Sequence, residues 1–114
     1  MAQTYKQLAA AAGNGTIATA ANLYSASGTA GTSTIISSIV ICNTSSSSAT
    51  YTIAINTASA TYATGRYVVF QATIAGNDTV ALTLGLTMDP TNRYMNVSSS
   101  ANTVNFSVYG VENS

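Results

Sequence analysis

Residues 33–43 read Ser33-Thr34-Ile35-Ile36-Ser37-Ser38-Ile39-Val40-Ile41-Cys42-Asn43. β-branched residues dominate this run, and they favour the pleated, extended chain over the helix. Strict alternation puts Ile35, Ser37, Ile39 and Ile41 on one face and Ile36, Ser38, Val40 and Cys42 on the other. Both faces are mostly apolar, which predicts a strand covered on both sides. One side is expected to be the domain core and the other a contact with a second subunit.

Outward from this strand the chain repeats the same grammar of short β-rich runs separated by turn residues. Before it, Thr16–Tyr24 is a weak, Ala-rich strand candidate. After it, the hydroxyl run Thr44–Ser48 is a turn. In Ala49–Thr57, Tyr51, Ile53 and Ile55 alternate with Thr50, Thr52, Ala54 and Asn56, the pattern of a half-buried antiparallel strand. Residues 58–65 are a loop. Arg66–Ile74 follows, with Val68, Phe70 and Ile74 on one face and Tyr67, Val69 and Gln71 on the other. Ala75-Gly76-Asn77-Asp78 is a turn built from residues that accept positive φ or bond their own backbone. Thr79–Leu86 points Val80, Leu82, Leu84 and Leu86 inward. Asp89-Pro90 opens another turn, and Arg93–Ser98 and Thr103–Gly110 complete the set, the last with Val104, Phe106 and Val108 inward. Glu112-Asn113-Ser114 reads as a tail. Tyr5–Ala12 is helical by Ala propensity or an extended arm.

Seven antiparallel strands without strand–helix alternation predict an all-β fold, a jelly-roll-like β-sandwich over residues 16–114 with an extended N-terminal arm over 1–15. The length of 114 residues suits one domain with a modest core.

Charge narrows the function classes. Only 5% of residues are charged, with net charge zero, against about 25% in a typical domain. Three basic residues, Lys6, Arg66 and Arg93, do not make the cluster that displaces counterions from a phosphate backbone, so no nucleic-acid partner is expected. No amphipathic basic helix and no run of about 18 apolar residues is present, so no membrane partner is expected. The N-terminal run is too weakly apolar for a secretory segment, and synthesis in a cytoplasm without export is expected. A neutral surface of hydroxyls and amides suits a protein held in a fixed assembly.

The chemistry-bearing residues are few. There is no His, which removes the commonest general base and most zinc sites. Asp78 and Asp89 sit in turns, where local backbone hydrogen bonding explains them. Cys42 is the one cysteine, sits in an apolar run and reads as a small hydrophobe. The expectation is no catalytic residue, no metal and no cofactor. Tyrosine is the abundant aromatic, with seven copies and no Trp. Tyr24, Tyr62, Tyr67, Tyr94 and Tyr109 fall at strand ends, in a loop or on outward faces, places that suit rim-of-core packing, interfaces or stacking on sugar rings. Candidate subunit contacts are Tyr5 and Leu8 of the arm, Ile36 and Val40 of the doubly apolar strand, and Tyr67 and Tyr109.

Three segments carry a resemblance. Thr34-Ile-Ile-Ser-Ser-Ile-Val-Ile-Cys-Asn-Thr (34–44), Ala75-Gly-Asn-Asp-Thr-Val-Ala-Leu-Thr-Leu-Gly-Leu-Thr (75–87) and Val104-Asn-Phe-Ser-Val-Tyr-Gly-Val-Glu (104–112) resemble small virion structural proteins of tailed bacteriophages, in the same order. The opening Tyr5-Lys-Gln-Leu-Ala is similar to their start. Where those proteins carry Pro-Ala-Gly before the second strand, this chain has Thr29-Ala-Gly. The resemblance implies a place on the virion as capsid decoration, neck or tail protein, in a homo-oligomer of three or more copies packed on a major capsid or tail protein. A glycan- or receptor-binding fibre module, with weak sugar contact through Tyr62 or Tyr94, is the competing expectation. An ice-binding surface would need regular Thr-x-Thr rows, and only Thr50/Thr52 fits.

Overall fold

A computed structural model of the chain describes residues 3–83 and 85–113. They contain nine strands: β1 Gln3–Ala12, β2 Ala21–Ser25, β3 Ser33–Asn43, β4 Ala49–Asn56, β5 Tyr67–Ile74, β6 Thr79–Leu82, β7 Leu86–Met88, β8 Tyr94–Ser99 and β9 Val104–Asn113. No helix occurs among the described residues. The strands form two antiparallel sheets, β1-β9-β3-β6 with β7 also beside β3, and β2-β8-β4-β5. The pairings nest: β1 with β9, β2 with β8, β3 with β6 and β7, β4 with β5. This is one long hairpin, rolled so that its successive rungs fall alternately in the two sheets. That order is a jelly roll.

Two strands go beyond the expected seven. The segment read as an arm is β1, paired with β9 from Gln3 opposite Asn113 to Ala12 opposite Asn105. Four alanines in a row are compatible with helix, but a partner strand supplies the backbone hydrogen bonds, and pairing overrides propensity. Thr79–Leu86 is two strands, because Gly85 adopts φ +62° and breaks the ladder; Val80, Leu82 and Leu86 lie on the inward side as expected, opposite Ile41, Ile39 and Ile36, and Leu84 lies outside the described residues. The strand sought in Thr16–Tyr24 begins at Ala21, and the tail residues Glu112 and Asn113 belong to β9.

The deciding strand holds its boundaries, but not its simple alternation. β3 is regular opposite β9 up to Ile36 and again from Ser38, with Ser37 left over as a bulge. One extra residue switches every later side chain to the other face. Thr34 and Ile36 therefore share the core with Ile39 and Ile41, while Ile35 joins Val40 and Cys42 outside. β1 does the same on the opposite flank of β9, where Leu8 is left over between Gln7 and Ala9. Gly110 of β9 sits beside both irregularities. A Cβ there would lie 2.1 Å from the carbonyl oxygen of Ile35, so only glycine admits the close approach of the two strands.

The core fills the gap between the sheets. Ile36, Ile39, Ile41, Met88, Val104, Phe106 and Val108 come from the larger sheet; Tyr24, Tyr51, Ile53, Ile74, Met95 and Val97 come from the smaller. Tyr51 meets Phe106 edge-on, with centroids 6.4 Å apart and rings at 71°, a favoured aromatic geometry. At one end of the sandwich the buried Asn43 is a hub: its amide donates to the carbonyls of Ser47 (2.8 Å) and Ala75 (3.3 Å), and its oxygen accepts from Ser45 N (3.1 Å) and Thr103 Oγ1 (3.1 Å).

Candidate functional site

The two outward faces differ in kind. On the smaller sheet, Thr52, Ala54, Asn56, Asn96 and Ser98 point away from the core and were expected, for β4, to meet solvent. They are buried, because the chain's own loops lie over them. Asn96 accepts from Ala60 N (3.0 Å) and donates to the carbonyls of Ala58 (3.0 Å) and Thr61 (2.8 Å). Asn56 also donates to the Thr61 carbonyl (3.0 Å). Ser98 donates to Ile17 O (2.7 Å) and accepts from the Tyr62 hydroxyl (2.6 Å). Burial pushes the Tyr62 hydroxyl pKa up, and the bond to Ser98 offsets part of that.

Nothing in the described chain covers the outward face of the larger sheet. Its side chains run in rows across β1, β9, β3 and β6 or β7. Tyr5, Val111, Ile35 and Thr87 form one row; Gln7, Tyr109 and Ser38 the next; Ala10, Ser107, Val40 and Ala81 the third; Ala12, Asn105, Cys42 and Thr79 the last. Tyr5 is 65% exposed and Ile35 42%. The bulge residue Ser37 ties the rows together. Its hydroxyl hydrogen goes to the carbonyl of Tyr109 (3.1 Å), so its oxygen accepts from the Tyr5 hydroxyl (2.8 Å). Gln7 donates to the Tyr109 hydroxyl at 3.4 Å. Two tyrosines are thus held in fixed positions on the sheet, beside exposed Ile35 and half-buried Val40 and Val111.

A second apolar feature lies on the edge strand β5. Phe70 and Gln71 together stand opposite Thr52, and Gln71 has φ +48°. The bulge is held by Gln71 N donating to Thr52 Oγ1 (3.0 Å). It turns Phe70 outward instead of toward the core side with Val68, and leaves it 60% exposed. Tyr67 stands beside it, 4.8 Å between centroids at 73°, and Tyr62 beside Tyr67 at 5.4 Å.

One polar cluster sits at the open end of the sandwich. The Tyr24 hydroxyl donates to Glu112 Oε2 (2.5 Å) and Lys6 Nζ lies 3.0 Å from Glu112 Oε1. Thr34 Oγ1 then donates to the Tyr24 oxygen at 3.2 Å. The bond from Tyr24, then the bond from Lys6, holds the Glu112 carboxyl below the usual range. Burial first, then the bond to Glu112, pushes Tyr24 up to about 12. Of the readings open to Tyr24 from its place at a strand end, rim-of-core packing, interface or sugar stacking, the structure shows it in the core. Asp89 accepts from Thr91 N (2.9 Å) and Asn92 N (2.7 Å), and Asp78 from Thr79 N (2.8 Å), so both are turn residues. Among the described residues no pocket opens and no group of three His, Cys, Asp or Glu converges.

Of the expected contact residues, Tyr5, Val40 and Tyr109 share the bare face. Leu8 is the β1 bulge residue, half-buried against the core. Tyr67 lies on the other sheet, in the aromatic edge. Ile36 is corrected: the Ser37 bulge places it inside the core, and Ile35, not singled out from sequence, takes the exposed position. No family model, curated protein or solved structure matches the chain.

Proposed function

We propose that the chain is a non-enzymatic structural component of a bacteriophage virion, an exterior capsid decoration or cement protein or a neck or tail accessory protein. It acts by packing against copies of itself and against a shell or tube protein. The observation that carries this reading is the bare face of the larger sheet, with Tyr5, Ile35, Val40, Tyr109 and Val111 in adjoining rows. Contiguous exposed apolar surface marks interaction sites, and Tyr is the side chain such sites favour. An interface of about 1,600 Å², a little over half of it apolar, gives on the order of 20 kcal/mol of gross stabilisation at about 25 cal/mol per Å², before the costs of association. A surface with 5% charged residues puts few charges in the way of such packing. The jelly-roll order agrees with the reading, since viral capsid domains use it, but lectins use it too and a fold alone assigns no function.

The aromatic edge of Tyr62, Tyr67 and Phe70 favours the second reading, a glycan- or receptor-binding fibre module. The rings of Tyr67 and Phe70 stand at 73° to one another and form no flat platform, which weighs against it.

Electron microscopy and mass spectrometry of purified particles test the first reading. The expected result is a fixed number of copies per particle, with Ile35→Asp folded but missing from the particle. A chain absent from particles and monomeric at high concentration overturns it. Glycan-array binding lost in Phe70→Ser and kept in Ile35→Asp selects the second reading instead.

A further inference from the structure

The outward face of the larger sheet is uncharged among the described residues. Lys6 and Glu112 have the opposite parity and pair at the open end of the sandwich. Two of its hydroxyls are already engaged: Tyr5 donates to Ser37 Oγ, and Ser37 to the carbonyl of Tyr109. Covering them leaves neither donor without an acceptor, which removes the usual penalty for drying a polar group. Such a face fits an uncharged protein surface better than the many hydroxyls of a sugar.

The face is also graded in height along the strands. Tyr5, Val111 and Ile35 stand in its first row and Tyr109 in the second. Beyond them come Ala10, Ser107 and Ala81, then Ala12, Cys42 and Thr79, with Val40 the largest apolar side chain there. A flat partner resting on the tall rows leaves a gap over the low ones, and side chains that line a gap lose their contacts. A partner that fills the face must carry the same gradient reversed. The chain's own face does so when it is turned end for end.

We propose that the same face of a second copy covers it. The strands of the two copies run antiparallel about a two-fold axis that lies between the sheets and crosses the strands between the Tyr109 and Val40 rows. The inference rests on the reading that the chain self-assembles, and names the occupant and the symmetry. Tyr5 then stands over Ala12 of the second copy, Tyr109 over Ser107 and Ile35 over Cys42. A two-fold axis along the strands would instead set tall rows on tall rows. Sheets stacked this way keep their strand axes within about 30° of each other, the aligned packing of sandwiches. Four strands about 4.8 Å apart and rows spanning about 25 Å give each copy a face of roughly 480 Å² in plan, so the pair buries on the order of 1,000 Å² before side-chain relief is counted, the size at which an interface becomes specific. Tyr5 and Ser37 are tied to each other before contact, so less side-chain freedom is lost on docking.

Sedimentation of the full chain is expected to give a dimer. Ile35→Asp puts a charge on the face and is expected to weaken the dimer at least tenfold, while Phe70→Ser, on the other sheet, leaves it unchanged. Ala12→Trp separates a graded fit from a merely apolar surface. It adds apolar area at an exposed position of the low end, and is expected to weaken the dimer at least tenfold because it meets Tyr5 of the second copy. Circular dichroism checks that each variant is folded. Ile35 and Cys42 lie in one strand, about 20 Å apart along it, beyond the reach of a short bismaleimide within one chain. Ile35→Cys is expected to be joined by that reagent to Cys42 of a second copy, as peptide mapping reads, and the Ile35→Cys/Cys42→Ser chain to stay unlinked. A monomeric wild type, an Ala12→Trp chain that dimerises as well or better, or links joining 35 to 35 or 42 to 42 overturns the proposal. A monomer that is nonetheless present in particles leaves the virion reading standing. A 35–42 linked dimer from a chain absent from particles upholds the proposal and overturns that reading.

Discussion

The outward faces of the two sheets exchange the roles that their central strands suggest in the sequence, where β3 reads as apolar and covered on both sides and β4 as polar on its outward side. On the smaller sheet the chain closes its own surface. Asn56, Asn96 and Ser98 spend their hydrogen bonds on loop carbonyls and amides, and the loops between β1 and β2 and between β4 and β5 become a lid. On the larger sheet, the polar groups bond among themselves, Ser37 with Tyr5 and Tyr109, and the apolar groups stay uncovered. The difference lies in where the polar atoms point. Amides aimed at backbone fix a loop in place; hydroxyls aimed along the sheet fix side chains and leave the surface open to another molecule.

The largest test of that contrast is Asn96→Ala. It strips the Ala58 carbonyl and the Ala60 amide of their partner at a fully buried side chain, while the Thr61 carbonyl keeps its bond from Asn56, and an unsatisfied buried group costs about 1–3 kcal/mol. The expected outcome is a drop of about 2–3 kcal/mol in urea unfolding, with faster proteolysis within residues 57–66. Removal without loss of stability would mean that the lid is held elsewhere.

A smaller effect is expected at the open end, where pH reads the Tyr24–Glu112–Lys6 cluster. Glu112 has a depressed pKa in the fold, so its contribution is present above the ordinary carboxylate range and is lost as pH falls through the folded value. Tyr24 has a raised pKa of about 12, so its contribution is present below the unfolded value of 10.0 and is lost as pH rises from there toward 12. Thermal unfolding followed across pH is expected to show both limbs, and Tyr24→Phe to flatten the alkaline limb and soften the acid one. An unchanged alkaline limb in that variant would assign it to another group.

Smallest of all, for stability, is the bare face. Ile35→Ser removes an exposed side chain and is expected to move unfolding by no more than about 0.5 kcal/mol. Under the proposed virion reading its effect falls on association, and incorporation into particles is the measurement that checks it. A large stability loss would show that the face is part of the core.

The sequence carried the strands better than the faces. β3 and β9 are legible because their β-branched and aromatic residues form unbroken runs bounded by turn residues. The parity change at Ser37 is not, since a bulge is a relation between two strands. Its one mark in the sequence is Gly110, 73 positions on (110 − 37), where a Cβ would strike Ile35 O. β1 was ambiguous for the same reason: alanine takes its conformation from whatever it pairs with, and the partner is at the far end of the chain. The lid over the smaller sheet was hidden because a polar side chain bonded to a loop and one bonded to water have identical letters. Part of the candidate face was visible as Tyr5, Val40 and Tyr109. Ile35 was missed and Ile36 taken in its place, by one residue of register.

The nested pairing has a consequence for timing. β4 and β5 are joined by a single loop, whereas β1 and β9 enclose nearly the whole chain. The entropy of closing a loop grows with its length, and distant pairings form late. β1 is then the last rung to zip, laid down only on a finished β9. An edge made of the last strand to fold is complete only once the rest of the chain has closed, so the finished β1 marks a finished fold.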